Sequence, residues 1–115
     1  SSPSWPSAFQ GGTMTRKICV FWRDIPAQVI VQRGRQREKS MLSSRFQEAI
    51  DRAAMRAGKG SSDAYIAEWR REAVPCDAAG ELRQIAEREV ARLESEFSDE
   101  RLLALIKNHG SADGL

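Results

Sequence analysis

The stretch KICVFWRDIPAQVIVQR, residues 17–33, constrains this chain more than any other. Two runs rich in apolar and β-branched residues flank a breaker, and such a pattern folds as two paired strands. Lys17 to Arg23 reads as the first strand, with Ile18, Val20 and Trp22 facing one way and Cys19 and Phe21 the other. Both faces are apolar, so this strand is expected to be central or covered. Pro26 breaks the pattern, and Asp24 to Ala27 make a hairpin-length connection. Gln28 to Arg33 is the second strand, and Gly34 permits another turn. From Arg35 to Met41 there is no apolar face, because Arg35, Arg37 and Lys39 alternate with Gln36, Glu38 and Ser40. That segment is either a charged edge strand, which resists unwanted pairing, or a loop.

The helical signals follow. Ser43 or Ser44 can cap a helix, Ser44 with Gln47 matches a capping box, and Phe46, Ala49, Ile50, Ala53, Ala54 and Ala57 keep helical spacing until Gly58 and Gly60. The alanine-rich stripe implies close approach to a sheet or another helix. Ser61 to Asp63 offer a second cap for a short helix, Ala64 to Arg70, carrying Tyr65, Ile66 and Trp69. REAVPC is extended, since Pro75 disfavours helix at Val74, and it can add a strand to the sheet. A long helix is expected from Asp77 to about Phe97 on the stripe Leu82, Ile85, Ala86, Val90, Leu93 and Phe97. Ser98 or Asp99 then starts a last helix with Leu102, Leu103 and Ile106 inward. The fold expected is α+β: a mainly antiparallel sheet of two to four strands covered by three to four helices.

Residues 1–13 are uncharged and differ from the rest, which marks them as a leader or disordered tail ahead of Met14. Residues 14–110 then make one domain and 111–115 a frayed tail. No apolar run approaches the roughly 20 residues needed to span a bilayer. Two separated cysteines, Cys19 and Cys76, with no CxxC and a single histidine, His109, argue against a zinc site and for a reducing cytoplasm. No metal or cofactor is implied.

For catalysis the inventory is poor. P-loop, GxGxxG and GxSxG motifs are missing, and a Cys–His pair would need His109 from a fraying terminus. Asp24 and Asp51 stand nearer apolar surroundings and are expected in structural ion pairs. Trp22, Trp69 and Tyr65 are expected in the core, and Arg70 and Arg71 can stack on an aromatic ring. Charge is uneven along the chain. Residues 16–39 hold seven basic and two acidic side chains, and residues 81–101 hold four basic and seven acidic ones. Such segregation permits intramolecular complementarity, head-to-tail association of like chains, or two different partners.

Taken together, WRDIPAQVIVQRGR, RFQEAIDRAAMRAG, DAYIAEWRR, ARLESEF and DERLLALI resemble a small bacterial domain family described as a virulence factor. The resemblance covers about Lys17 to Ile106. It implies a scaffolding or accessory role beside enzymes of one-carbon and methyl-transfer chemistry, and it transfers no catalytic residue. The expectation is therefore a non-enzymatic module that binds a protein partner. Its candidate contact residues are Trp22, Arg23 and Asp24 in the turn and Arg33, Arg35, Arg37 and Lys39 in the basic segment. One alternative is a nucleic-acid-binding regulator that uses the basic hairpin. Another is a small enzyme or ligand-binding domain with a pocket near Asp24 and Trp22.

Overall fold

The computed structural model describes residues 15–58, 63–76 and 80–115. The leader, Met14, Gly60, the Ser61–Ser62 cap and the Asp77 helix start therefore lie outside the described residues. The elements run β1 (Thr15–Trp22), β2 (Ile25–Arg33), β3 (Gln36–Met41), α1 (Ser44–Arg56), α2 (Asp63–Ala67), β4 (Trp69–Cys76), α3 (Leu82–Glu96) and α4 (Asp99–Lys107). The strands form one antiparallel sheet in the order β3-β2-β1-β4. This is the α+β architecture expected, with β1 central and β3 a charged edge strand.

Two details differ from strict strand alternation. The connection between β1 and β2 is only Arg23–Asp24, and Pro26 lies inside β2. Proline fits there because the β1–β2 register shifts at that point. Val20 opposes Gln28 and Phe21 opposes Pro26, so Ala27 has no opposite residue. A bulge already interrupts the ladder, and the missing N–H is tolerated beside it. The same irregularity places Trp22 with Cys19 against the core, although they stand three residues apart, while Val20 lies outside that cluster.

Trp22, Ile25, Val29 and Val31 from the sheet meet Phe46, Ala49, Ile50, Ala53 and Ala54 of α1, Leu82, Ala86, Val90 and Leu93 of α3, and Leu102 and Leu105 of α4. All these helices therefore cover one face. Phe46 and Ile50 are fully buried, and each such side chain stabilises by about 1.5–3 kcal/mol. The alanines of α1 let it sit close to its neighbours. Ser43 is the N-cap of α1, but its side chain does not accept from the helix. Its N–H and hydroxyl both donate to the Glu94 carboxylate of α3, at 3.1 and 2.9 Å, which ties the two helices together. The Ser98 hydroxyl does cap α4, accepting from the Arg101 N–H. In α4 the inward residues are Leu102, as expected, and Leu105, with Ile106 partly buried, whereas Leu103 is exposed. Trp69, expected in a helix, begins β4 instead because it pairs with Trp22. No helix among the described residues is long and apolar enough to cross a membrane.

Candidate functional site

The Arg23–Asp24 turn is held from three directions. The Trp22 indole N–H donates to the Tyr65 carbonyl at 3.1 Å. Arg23 adopts a positive φ of 61°. Its Nε donates to Glu68 at 3.2 Å, its Nη1 donates to the His109 carbonyl at 2.8 Å, and its guanidinium lies over the Trp22 ring. The Asp24 N–H donates to the Gly110 carbonyl, and the Asp24 carboxylate accepts from the Ala112 N–H at 2.6 Å. Thus residues 109–112 close over the turn. The expected frayed tail is corrected accordingly: Ala112 packs on the core, and the Asn108 side-chain amide donates to the carbonyls of Ser111 and Asp113.

These contacts correct part of the expected contact surface. Trp22 is 0% exposed and is a core residue. Arg23 and Asp24 are partly exposed and turn polar groups to intramolecular partners; among the described residues Asp24 meets a backbone N–H and not a cation. Gly110 lies so near the Trp22 ring that an added Cβ would sit 2.7 Å from it. Asp51, expected in an ion pair fixing α1 to the sheet, is exposed on α1. Its field and, chiefly, burial push the Tyr65 phenol up from its ordinary pKa. Among the described residues the arginines lying over rings are Arg23, Arg45 and Arg101, while Arg70 pairs with Glu72.

The basic segment divides between the two faces of the sheet. Arg33 is half-buried on the helix side and its Nε donates to the Thr15 hydroxyl at 2.9 Å. With Arg37, Glu81 and Arg83 it lines a concavity of about 640 Å³ beside the start of α3. Arg35 is exposed at the β2–β3 turn. Arg37 and Lys39 are exposed on β3, opposite Gln32 and Ile30.

Lys17 and Cys19 mark the helix side of β1: Lys17 Nζ donates to Glu89 of α3 at 2.9 Å, and Cys19 packs on the core. Burial, and then the Glu89 charge, push the Cys19 thiol up, so it is a poor nucleophile at neutral pH. Lys17, Glu89, Arg92 and Cys76 line an open groove of about 670 Å³ between α3 and β4. Within it Lys17 and Arg92 both pair with Glu89.

Since odd-numbered residues of β1 up to Cys19 face the helices, Arg16, Ile18 and Val20 face the other way. Pairing then defines three cross-strand rows of four on the side that no helix among the described residues covers: Arg37, Gln32, Arg16, Pro75; Lys39, Ile30, Ile18, Ala73; and Met41, Gln28, Val20, Arg71, of which Val20 is buried. The residues of this face missed by sequence reasoning are Arg71, Met41, Ile18 and Ile30. Nothing in the sequence joins them, because β1 and β4 lie about 50 residues apart and meet only through the pairing.

The fold and surface define a small α+β domain with one four-stranded antiparallel sheet, helices on one face and a cation-rimmed second face. A family model described as Virulence factor matches residues 20–106, and the chain belongs to that family. Its name associates it with virulence. No curated protein and no solved structure matches the chain.

Proposed function

We propose that this domain is a non-enzymatic interaction module that binds a protein partner through the helix-free face of its sheet. One observation supports the reading. The three rows of that face hold four cations, Arg16, Arg37, Lys39 and Arg71, and no acidic residue, around Ile18, Ile30 and Ala73. The glutamates of the same strands, Glu38 and Glu72, fall on the helix side, opposite Val31 and Cys19. Protein interfaces have this anatomy, an apolar centre with a polar rim enriched in arginine. The edge position of β3 leaves Arg37 and Lys39 exposed, so the basic segment contributes to the surface from one side only. An enzyme of one-carbon or methyl-transfer chemistry is the partner the family resemblance points to.

The test is affinity capture from native extract, comparing the wild type with an Arg37→Glu/Lys39→Glu variant. One enriched protein lost in the variant is expected. Capture of nucleic acid, lost in the variant and falling steeply with salt, would replace this reading with the regulator alternative. Identical empty captures would remove both.

A further inference from the structure

Resting on the interaction-module reading, the chemistry of the sheet face narrows the partner: we infer that it accepts an amphipathic α-helix whose apolar stripe is flanked by Asp or Glu. Three features carry this. The first is shape. Four strands about 4.8 Å apart span roughly 14 Å, enough to seat one helix about 10–12 Å in diameter. The second is the distribution of chemistry. Ile30, Ile18 and Ala73 make one apolar row, Ile18 and Ile30 half-buried and Ala73 exposed; in the next row Met41 is 56% exposed, whereas Val20 is already buried at 7% and adds no contact area. The exposed cations Arg37 and Lys39 stand at the β3 side and the exposed Arg71 at the β4 side. A helix with an apolar stripe and acidic flanks is complementary to that arrangement in both respects. The third concerns the sheet edges. An extended partner would add to β3 or β4, but β3 carries Arg37, Glu38 and Lys39, and β4 carries Arg70, Arg71, Glu72 and Pro75. Charges and proline on edge strands discourage such pairing. A helix laid on the face needs no edge.

The core arrangement shows the same physics from the other side, where α1 and α3 cover Val29 and Val31. A partner helix would complete a three-layer arrangement, helix on sheet on helix.

The experiment titrates the full chain with a synthetic amphipathic helical peptide of about five turns, leucine on one face and glutamate on its flanks. A scrambled peptide of identical composition, polyglutamate and a single-stranded oligonucleotide serve as comparisons. Binding is read by fluorescence anisotropy and by backbone amide shifts. The expected result is binding of the helical peptide with shift changes at residues 16, 18, 30, 37, 39 and 71. The scrambled peptide and polyglutamate should bind at least about tenfold more weakly. Arg37→Glu/Lys39→Glu, at exposed edge positions, should weaken binding by about tenfold, and Ala73→Glu on the opposite edge strand by a similar factor. Equal binding of polyglutamate or the scrambled peptide would overturn the inference, because charge alone would then suffice. So would tighter binding of the oligonucleotide, shift changes confined to α1 and α3, or no binding. If the peptide fails while a captured protein is still lost with Arg37→Glu/Lys39→Glu, the helix inference falls and the interaction-module reading stands.

Discussion

Gly110→Ala tests how firmly the C-terminal residues seat on the turn. Gly110 has φ +86°, and a Cβ built there meets Trp22 Cζ3 at 2.7 Å, Trp22 Cε3 at 3.2 Å and Arg23 Cδ at 3.3 Å. Two costs add. An alanine held in the left-handed region costs about 1–2 kcal/mol. Crowding a packed core costs about 1–3 kcal/mol, and the fully buried Trp22 ring, fixed by its hydrogen bond to Tyr65, has no space into which to retreat. The sum is about 2–5 kcal/mol, a large share of the roughly 5–15 kcal/mol that holds such a domain together. With an unfolding entropy of about 2.1 cal/mol/K per residue, each kcal/mol lowers Tm by about 4 °C, so a fall of roughly 8–20 °C is expected. Gly114→Ala is the internal reference. Its φ is +85°, yet nothing lies within 4 Å of an added Cβ, so only the backbone cost of about 1–2 kcal/mol applies. Both variants would be unfolded in urea and monitored by circular dichroism. If Gly110→Ala proves no more destabilising than Gly114→Ala, the tail does not rest on the tryptophan ring and the argument is wrong.

Asp24→Asn should cost about 1–2 kcal/mol in urea unfolding, because the Ala112 N–H loses a charged acceptor at 2.6 Å. Lys17→Met should cost about 1–3 kcal/mol, since Glu89, 11% exposed, would keep only Arg92 as a cationic partner. Adding Glu89→Gln should recover part of that loss in a double-mutant cycle. Native Cys19 should react with iodoacetamide more slowly than Cys76 at pH 8, a difference that denaturant abolishes. Cys19 also makes stability depend on pH. Its folded pKa is raised above 9.0, so its contribution is whole below pH 9 and is lost as pH rises through the folded value. The wild type should therefore lose more stability between pH 8 and pH 10 than Cys19→Ala.

The parts of the fold legible in the sequence are those set by local periodicity. The KICVFW and QVIVQ runs each name a strand, and the alanine-rich stripe of α1 and the stripe of α3 each name a helix and its buried face. What escaped was set by pairing. Trp22 joins Cys19 against the core because a bulge at Ala27 disturbs the β1–β2 register, and no residue type announces a bulge there. Trp69 carries helical neighbours, yet its pairing with Trp22 makes it a strand residue. SADGL looks like a loose end until Asp24 is seen to accept from it, although His109–Gly110 after a helix already signals a reversal of the chain. The candidate face follows the same rule. Arg37 and Lys39 were visible as a basic run, but the outward alignment of Arg16 and Arg71 with them depends on registers among four strands.

The clasp over the turn has a consequence for biosynthesis. Arg23 and Asp24 emerge 86 and 88 positions before the His109 and Ala112 groups they bind, and β1 precedes its partner β4 by about 50. At roughly 5–20 residues per second, the β1–β2 hairpin waits about 4–18 s for the groups that lock its turn. During that interval its apolar runs are unfinished and open to misassociation. The charged β3 is made directly after them and can cover the β2 edge early, whereas the β1 edge stays bare until β4 arrives. Assembly thus begins at one side of the sheet and closes last at the Arg23–Asp24 turn, where the strand made first meets the residues made last.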